Sequence, residues 1–191
     1  MTELTSKSDN VKNGITFGLI IGLIYCISLF LRYNMLSSGP IMFAVVACLF
    51  YLVVIGMLFF CIAKRRKELG GFINLKDAFQ TVFIAILIAE FIYIAFNVIY
   101  LKFIDPHFFE KFQASMETFI ENSSMSETKK EETLNKFKEQ MSGRETNALT
   151  AKGIILGYLT WVAITGVFGF IAALIMRKRK PVFDELDQPR Q

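Results

Sequence analysis

Glu90 stands near the middle of a long apolar run, and Tyr93 and Asn97 follow it at i+3 and i+7. On a helix that spacing puts three polar side chains on one face. A charged group at bilayer depth costs about 3 kcal/mol or more, so such residues turn toward a protein interior or a water-filled cavity. Two kinds of chemistry fit this trio. One is a proton or cation relay, or a contact to a polar substrate. The other is structural: a neutral carboxyl hydrogen-bonded to a tyrosine or serine of a neighbouring helix and fixing register. No lysine or arginine inside the apolar runs offers Glu90 an ionic partner.

Other chemistry is poorly provided for. His107 is the single histidine, and Cys26, Cys48 and Cys61 all lie in apolar blocks without CxxC spacing. No metal site, no Ser-His or Cys-His pair and no catalytic residue is expected, and the cysteines read as buried free thiols. Gly70-Gly71 lacks the phosphate-loop pattern, so no nucleotide or other cofactor is expected. The basic clusters flank apolar blocks rather than forming a stripe for nucleic acid.

These residues must be positioned by helices in a membrane. Hydrophobic residues make up 53% of the 191, with 20 Phe against one Trp, and mean hydropathy is +0.45. The apolar excess falls in four blocks. The first, Gly14 to Leu31, is longer than the apolar core of a signal peptide and has no cleavage site after it, so a retained helix is expected over about 14–34. Ser38-Gly39-Pro40 is a turn that places proline at the start of a second helix, about 40–63. That helix ends at Lys64-Arg65-Arg66-Lys67. Asn74 and Asp77 form a capping box that opens a third helix, about 75–101. The fourth covers 153–176 and stops at Arg177-Lys178-Arg179-Lys180. The expected fold is therefore all-α, a polytopic membrane protein with four transmembrane helices embedded in the lipid bilayer.

The distribution of Lys and Arg sets the orientation. Lys64, Arg65, Arg66, Lys67 and Lys76 crowd the short connection 64–78, and the 177–191 tail is also basic. The first connection has Arg32 alone, while 102–152 carries more acidic than basic residues. Positive-inside then places segment 1–12, the 64–78 loop and the tail in the cytoplasm, and 102–152 outside.

Within 102–152, Asp105-Pro106 reads as a helix start. Phe108, Phe112, Met116 and Phe119 follow at helical spacing. Ser124 and Glu127 suggest a second capping box ahead of Leu134, Phe137 and Met141. A short amphipathic helical pair is expected, ending near Gly143. Its stripes must rest on each other, on the membrane surface or on a partner. Glycines at spacing four, Gly14, Gly18 and Gly22, mark a close-packing face in the first helix. Gly153 and Gly157, then Thr165, Gly169 and Ala173, do so in the fourth. Packing within the chain is favoured over packing between copies.

The stretch from Arg66 through Gly70-Gly71-Phe72-Ile73 to Ala78-Phe79 resembles a bacterial membrane-protein family known only as domain of unknown function 4199. Tyr100 and the Phe103-Ile104-Asp105-Pro106 junction, with the Met- and Glu-rich segment after it, carry the same resemblance. It spans roughly residues 10 to 180. It implies a four-helix protein of the Gram-negative inner membrane, and it transfers no activity. The leading expectation is a non-enzymatic accessory or scaffold subunit that meets a protein partner through its periplasmic helical loop. The alternative is a small homo-oligomeric transporter or ion conductor built on Glu90.

Overall fold

The structure is a computed structural model that describes residues 2–178, with side chains from 8 to 143 and from 147 to 178. Arg179, Lys180 and Arg190 of the basic tail lie outside the described residues. The order is α1 (Thr2–Asn34), a 3-10 turn (Met35–Ser38), α2 (Pro40–Glu68) and α3 (Leu75–Ile99). A π turn (Tyr100–Ile104), α4 (Phe108–Glu121), α5 (Glu127–Ala148) and α6 (Ala151–Met176) follow. Among the described residues, four stretches are long and apolar enough to cross a membrane: Ser8–Ser38, Pro40–Glu68, Leu75–Ile104 and Ala151–Met176.

The helices outrun the apolar blocks. α1 begins before the first block, and α2 carries its basic run Lys64–Lys67 as a final helical turn. A helix keeps its backbone paired whether or not lipid surrounds it, so composition marks where a span ends but not where a helix does.

α1 and α3 form the most extensive pair, and the glycines explain why. A Cβ placed on Gly14, Gly18 or Gly22 would stand 2.8, 2.7 or 2.6 Å from Ile84, Ile88 or Ile92 of α3. The three-glycine face is thus a seam inside this chain, along which the α3 isoleucines pack onto bare backbone. On α6 the face is shorter than its sequence pattern. A Cβ on Gly169 would stand 2.7 Å from Ile86 and Val82, and Thr165 and Ala173 are buried. A Cβ on Gly157, by contrast, would meet Ile94 at an ordinary contact distance of 3.8 Å, and one on Gly153 would strike the Asn147 carbonyl in the α5–α6 turn.

The bundle has two unlike ends. At the basic end, Gly70 and Gly71 take φ of 77° and 92°, conformations that a side chain would strain. Asn74 Oδ1 then accepts from the Asp77 amide at 2.7 Å and caps α3. Ile73 and Lys178 exchange two backbone hydrogen bonds of 2.9 Å, which tie this turn to the end of α6.

At the other end, the cap end, α4 closes over the α1–α2 turn and α5 packs on α4. Phe108 is buried with Leu36 and Leu101, and Tyr33, Phe43, Phe109 and Phe112 pack around them. The Phe108 ring lies 4.1 Å from Tyr33, and Phe112 lies 5.6 Å from Phe43 and 6.2 Å from Phe137. Of the apolar stripes, Met141 is buried, Phe112, Met116, Leu134 and Phe137 are half-buried, and Phe119 is exposed. Much of this surface is therefore covered by the chain itself.

Both expected starts in this region shift. α4 begins at Phe108 with no side-chain cap, because Asp105 instead holds Lys111 Nζ at 2.8 Å. α5 begins at Glu127, and its N-cap is Ser126 rather than Ser124. Gly143 is interior to α5, which continues to Ala148.

Candidate functional site

Glu90 is buried in the middle of the bundle, 1% exposed, and three helices meet at its carboxyl. Tyr25 of α1 donates to Glu90 Oε1 at 3.1 Å, and Thr165 of α6 donates to the same oxygen at 2.7 Å. Two neutral donors from flanking helices satisfy a buried acceptor and fix the angular setting of α3 at once. Tyr93 packs its ring 5.2 Å from Tyr25 and 6.2 Å from Trp161. Asn97 stands apart from the carboxyl, where its Oδ1 accepts from Tyr33. The three residues on one face of α3 therefore serve two adjacent contacts with α1 rather than one continuous site.

Beside Glu90 lies a cavity of about 40 Å3, walled by Tyr25, Ser28, Arg32, Tyr51, Tyr93 and Trp161 among others. Arg32 is the feature that the apolar-block reading missed. It belongs to the last turn of α1, outside the first apolar block, yet its long side chain extends inward over the Phe43 ring, 4.7 Å from the centroid. A residue's place in the sequence gives the depth of its Cα, and a long flexible side chain reaches well beyond it.

A second polar centre at the basic end also lacks an obvious sequence signal. Arg65 is 3% exposed although it comes from the run Lys64–Lys67. Its Nε donates to Asn10 Oδ1 at 2.6 Å and its Nη1 to Glu68 Oε2 at 3.2 Å. Asp9 is the more distant carboxylate, at 3.9 Å. Asn10, wholly buried, passes its amide on to Asp77 Oδ1 at 2.9 Å. Asn13 donates to Glu68 at 2.5 Å. The one weak hint was spacing, since Arg65 and Glu68 sit three apart at the end of a helix.

Two larger hollows lie at the ends. One of about 580 Å3 is lined by Ala63, Arg66, Lys67, Gly70, Gly71 and Lys178. The helix C-terminal carbonyls already engage this basic group, with Arg66 Nη1 reaching the Met176 carbonyl at 3.5 Å. The other, about 820 Å3, opens between the α1–α2 turn and α4, beside Asp105, Lys111 and Ser115. Among the described residues no cluster of three His, Cys, Asp or Glu side chains could hold a metal. Cys61 is buried, Cys26 is half-buried and Cys48 is exposed on the outer face of α2, a correction to the expectation that all three are buried.

His107 pairs with Glu110 at 3.1 Å on an exposed turn, remote from both polar centres. On α5, Lys136 pairs with Glu132 at 2.5 Å along its solvated face, and the half-buried Lys130 reaches Glu127 at 3.0 Å. Lys138 crosses to Glu117 of α4 at 3.2 Å. The Gln113 amide and then the Lys138 ammonium hold the Glu117 carboxyl below its ordinary range.

The arrangement offers a hydrogen-bonded carboxyl, a buried guanidinium network and a clamped helical cap, with no nucleophile–base pair among them. Comparison with curated proteins and with solved structures finds no match. The family described as protein of unknown function DUF4199 matches residues 13–178, nearly the whole length, and the chain belongs to that family.

Proposed function

We propose that the protein is a non-enzymatic accessory or scaffold subunit of the bacterial inner membrane, with its termini in the cytoplasm and the α4–α5 cap in the periplasm. The carrying observation is the way the cap is held. The rings of Tyr33, Phe43, Phe108 and Phe112 fasten α4 to the bundle mouth, and α5 is fastened to α4. The outer face of α5, with Lys129, Glu131, Lys136 and Glu139 exposed, is thereby presented in one orientation. A preset charged face binds with a smaller ordering cost than a mobile loop.

The basic connection 64–78 and the Lys178 end of α6 support the orientation through the positive-inside rule. The packed interior supports the non-conducting reading. Phe17, Ile21, Leu58, Ile62, Val82 and Ile86, each at most 2% exposed, fill the bundle between Glu90 and the basic end.

The test is purification of a tagged chain at native expression in mild detergent, beside a variant carrying Glu131→Lys and Glu139→Lys. A stoichiometric partner that accompanies the parent and is lost from the variant supports the proposal. Equal recovery from both, or a pure homo-oligomer, overturns it. In the homo-oligomer case, Glu90→Gln flux assays in proteoliposomes decide the transport alternative.

A further inference from the structure

A polar atom buried without a partner marks a place where something else completes its hydrogen bonding. Among the described residues, Arg32 Nε and Tyr51 Oη are buried side-chain atoms without a partner at full hydrogen-bond geometry, the Thr165 hydroxyl that serves Glu90 lying beside Tyr51. They belong to α1 and α2, and both residues line the same cavity of about 40 Å3 beside Glu90. Two independent orphans meeting at one hollow, next to a buried carboxyl, point to one shared guest.

Size and chemistry name its class. A water needs roughly 10–15 Å3 of such space, so the cavity holds roughly one to three, and it is far below the size of an organic ligand. The wall offers a guanidinium donor, a phenol that both donates and accepts, the Ser28 hydroxyl and a carboxyl. A small cation meets the guanidinium and a small anion meets the carboxyl. Water serves donors and acceptors alike.

The surroundings are asymmetric along the bundle axis. On the basic side of Glu90, Val82, Ala85, Ile86 and Ala89 of α3 are at most 1% exposed, packed against Phe17, Ile21, Leu58 and Ile62. On the cap side, Tyr93 and Arg32 are only half-buried. Arg32 lies seven positions beyond Tyr25, which is level with Glu90, a rise of about 10 Å along α1.

We propose that the cavity binds ordered water that joins Glu90 to the cap end of the bundle past Arg32, so that the carboxyl exchanges its proton with that side and not with the basic end. In each exchange the carboxyl O–H passes its proton to the neighbouring water while that water returns another, so no charge is left behind. This site is independent of the partner surface on α5.

Infrared spectroscopy of the full chain in detergent tests it. The carboxyl C=O band of Glu90 is identified by its loss in Glu90→Gln, and its O–H to O–D shift is timed after transfer to D2O. Complete exchange within seconds is expected in the parent, with at least tenfold slowing in Ala47→Leu, which fills the cavity wall. Tyr51→Phe, a smaller change that keeps the fold if Ala47→Leu does not, is expected to slow exchange several-fold. Exchange over hours in the parent, no band lost in Glu90→Gln, or unchanged rates in the folded variants would overturn the proposal.

Discussion

Arg65 and Glu90 are both charged residue types buried in the same bundle, and they are accommodated in opposite ways. Arg65, at the basic end, is surrounded by acceptors: Asn10, Glu68 and, farther off, Asp9. Its carboxylate partners are partly exposed, so the network connects to solvent. Glu90, at mid-depth, meets neutral hydroxyls only, from Tyr25 and Thr165. Near an aqueous boundary a guanidinium is held by charge and hydrogen bonds together. In the middle of the span, short neutral donors on adjacent helices hold the carboxyl directly, and the Arg32 guanidinium lines the same small cavity.

Both networks require α1 to lie flush on α3, so the largest effect should come from separating these helices. Gly18→Leu forces a side chain where a Cβ already meets Ile88 at 2.7 Å and the Ala85 carbonyl at 2.9 Å. Overpacking of that kind costs about 3 kcal/mol or more. Unfolding in mixed micelles should show the loss, and Gly157→Ala, which has room, should stay within about 0.5 kcal/mol of the parent. Comparable losses from both substitutions would break the seam assignment.

The next effect separates the two networks. Arg65→Met removes the hub of an ionic cluster and should cost about 3 kcal/mol. Part of that cost should fade at high salt, because the carboxylate partners are accessible to screening. A salt-independent loss would show that Arg65 contributes through packing alone.

Smaller still are changes around Glu90. Thr165→Val deletes the 2.7 Å donor and keeps the shape, at about 1 to 2 kcal/mol, and Tyr25→Phe should cost about 1 kcal/mol. Neither loss should depend on salt. Substituting both together tests coupling: an additive result would mean that the two hydroxyls do not share one acceptor as the geometry shows.

Much of the frame was legible because bilayer physics writes it in plain terms. Long apolar runs, the third interrupted by Glu90, gave the four apolar helices, Gly39-Pro40 and Asn74-Asp77 gave two helix starts, and spacing-four glycines gave the α1 seam. The polar interior was less legible. Glu90 announced itself by being alone, but its donors, Tyr25 and Thr165, are separated from it by 65 and 75 residues, and nothing local pairs them. Arg65 was hidden among Lys64, Arg66 and Lys67, since composition does not say which member of a basic run turns inward. In the cap, aromatic spacing gave the helices, yet Asp105 and Ser124 were misread as caps: Asp105 pairs with Lys111 of the first turn of α4, and α5 starts two residues later than read, with Ser126 as its N-cap.

The proposed orientation of the bundle underlies both the proposed periplasmic placement of the cap and the proposed one-sided access to Glu90, and impermeant thiol labelling tests it directly. In a background with Cys26, Cys48 and Cys61 replaced by serine or alanine, single cysteines are placed at Lys67 and at Glu131. The account predicts labelling at 131 in intact spheroplasts, with 67 reacting only after the membrane is opened. Labelling of 67 in intact cells with protection of 131 would contradict it.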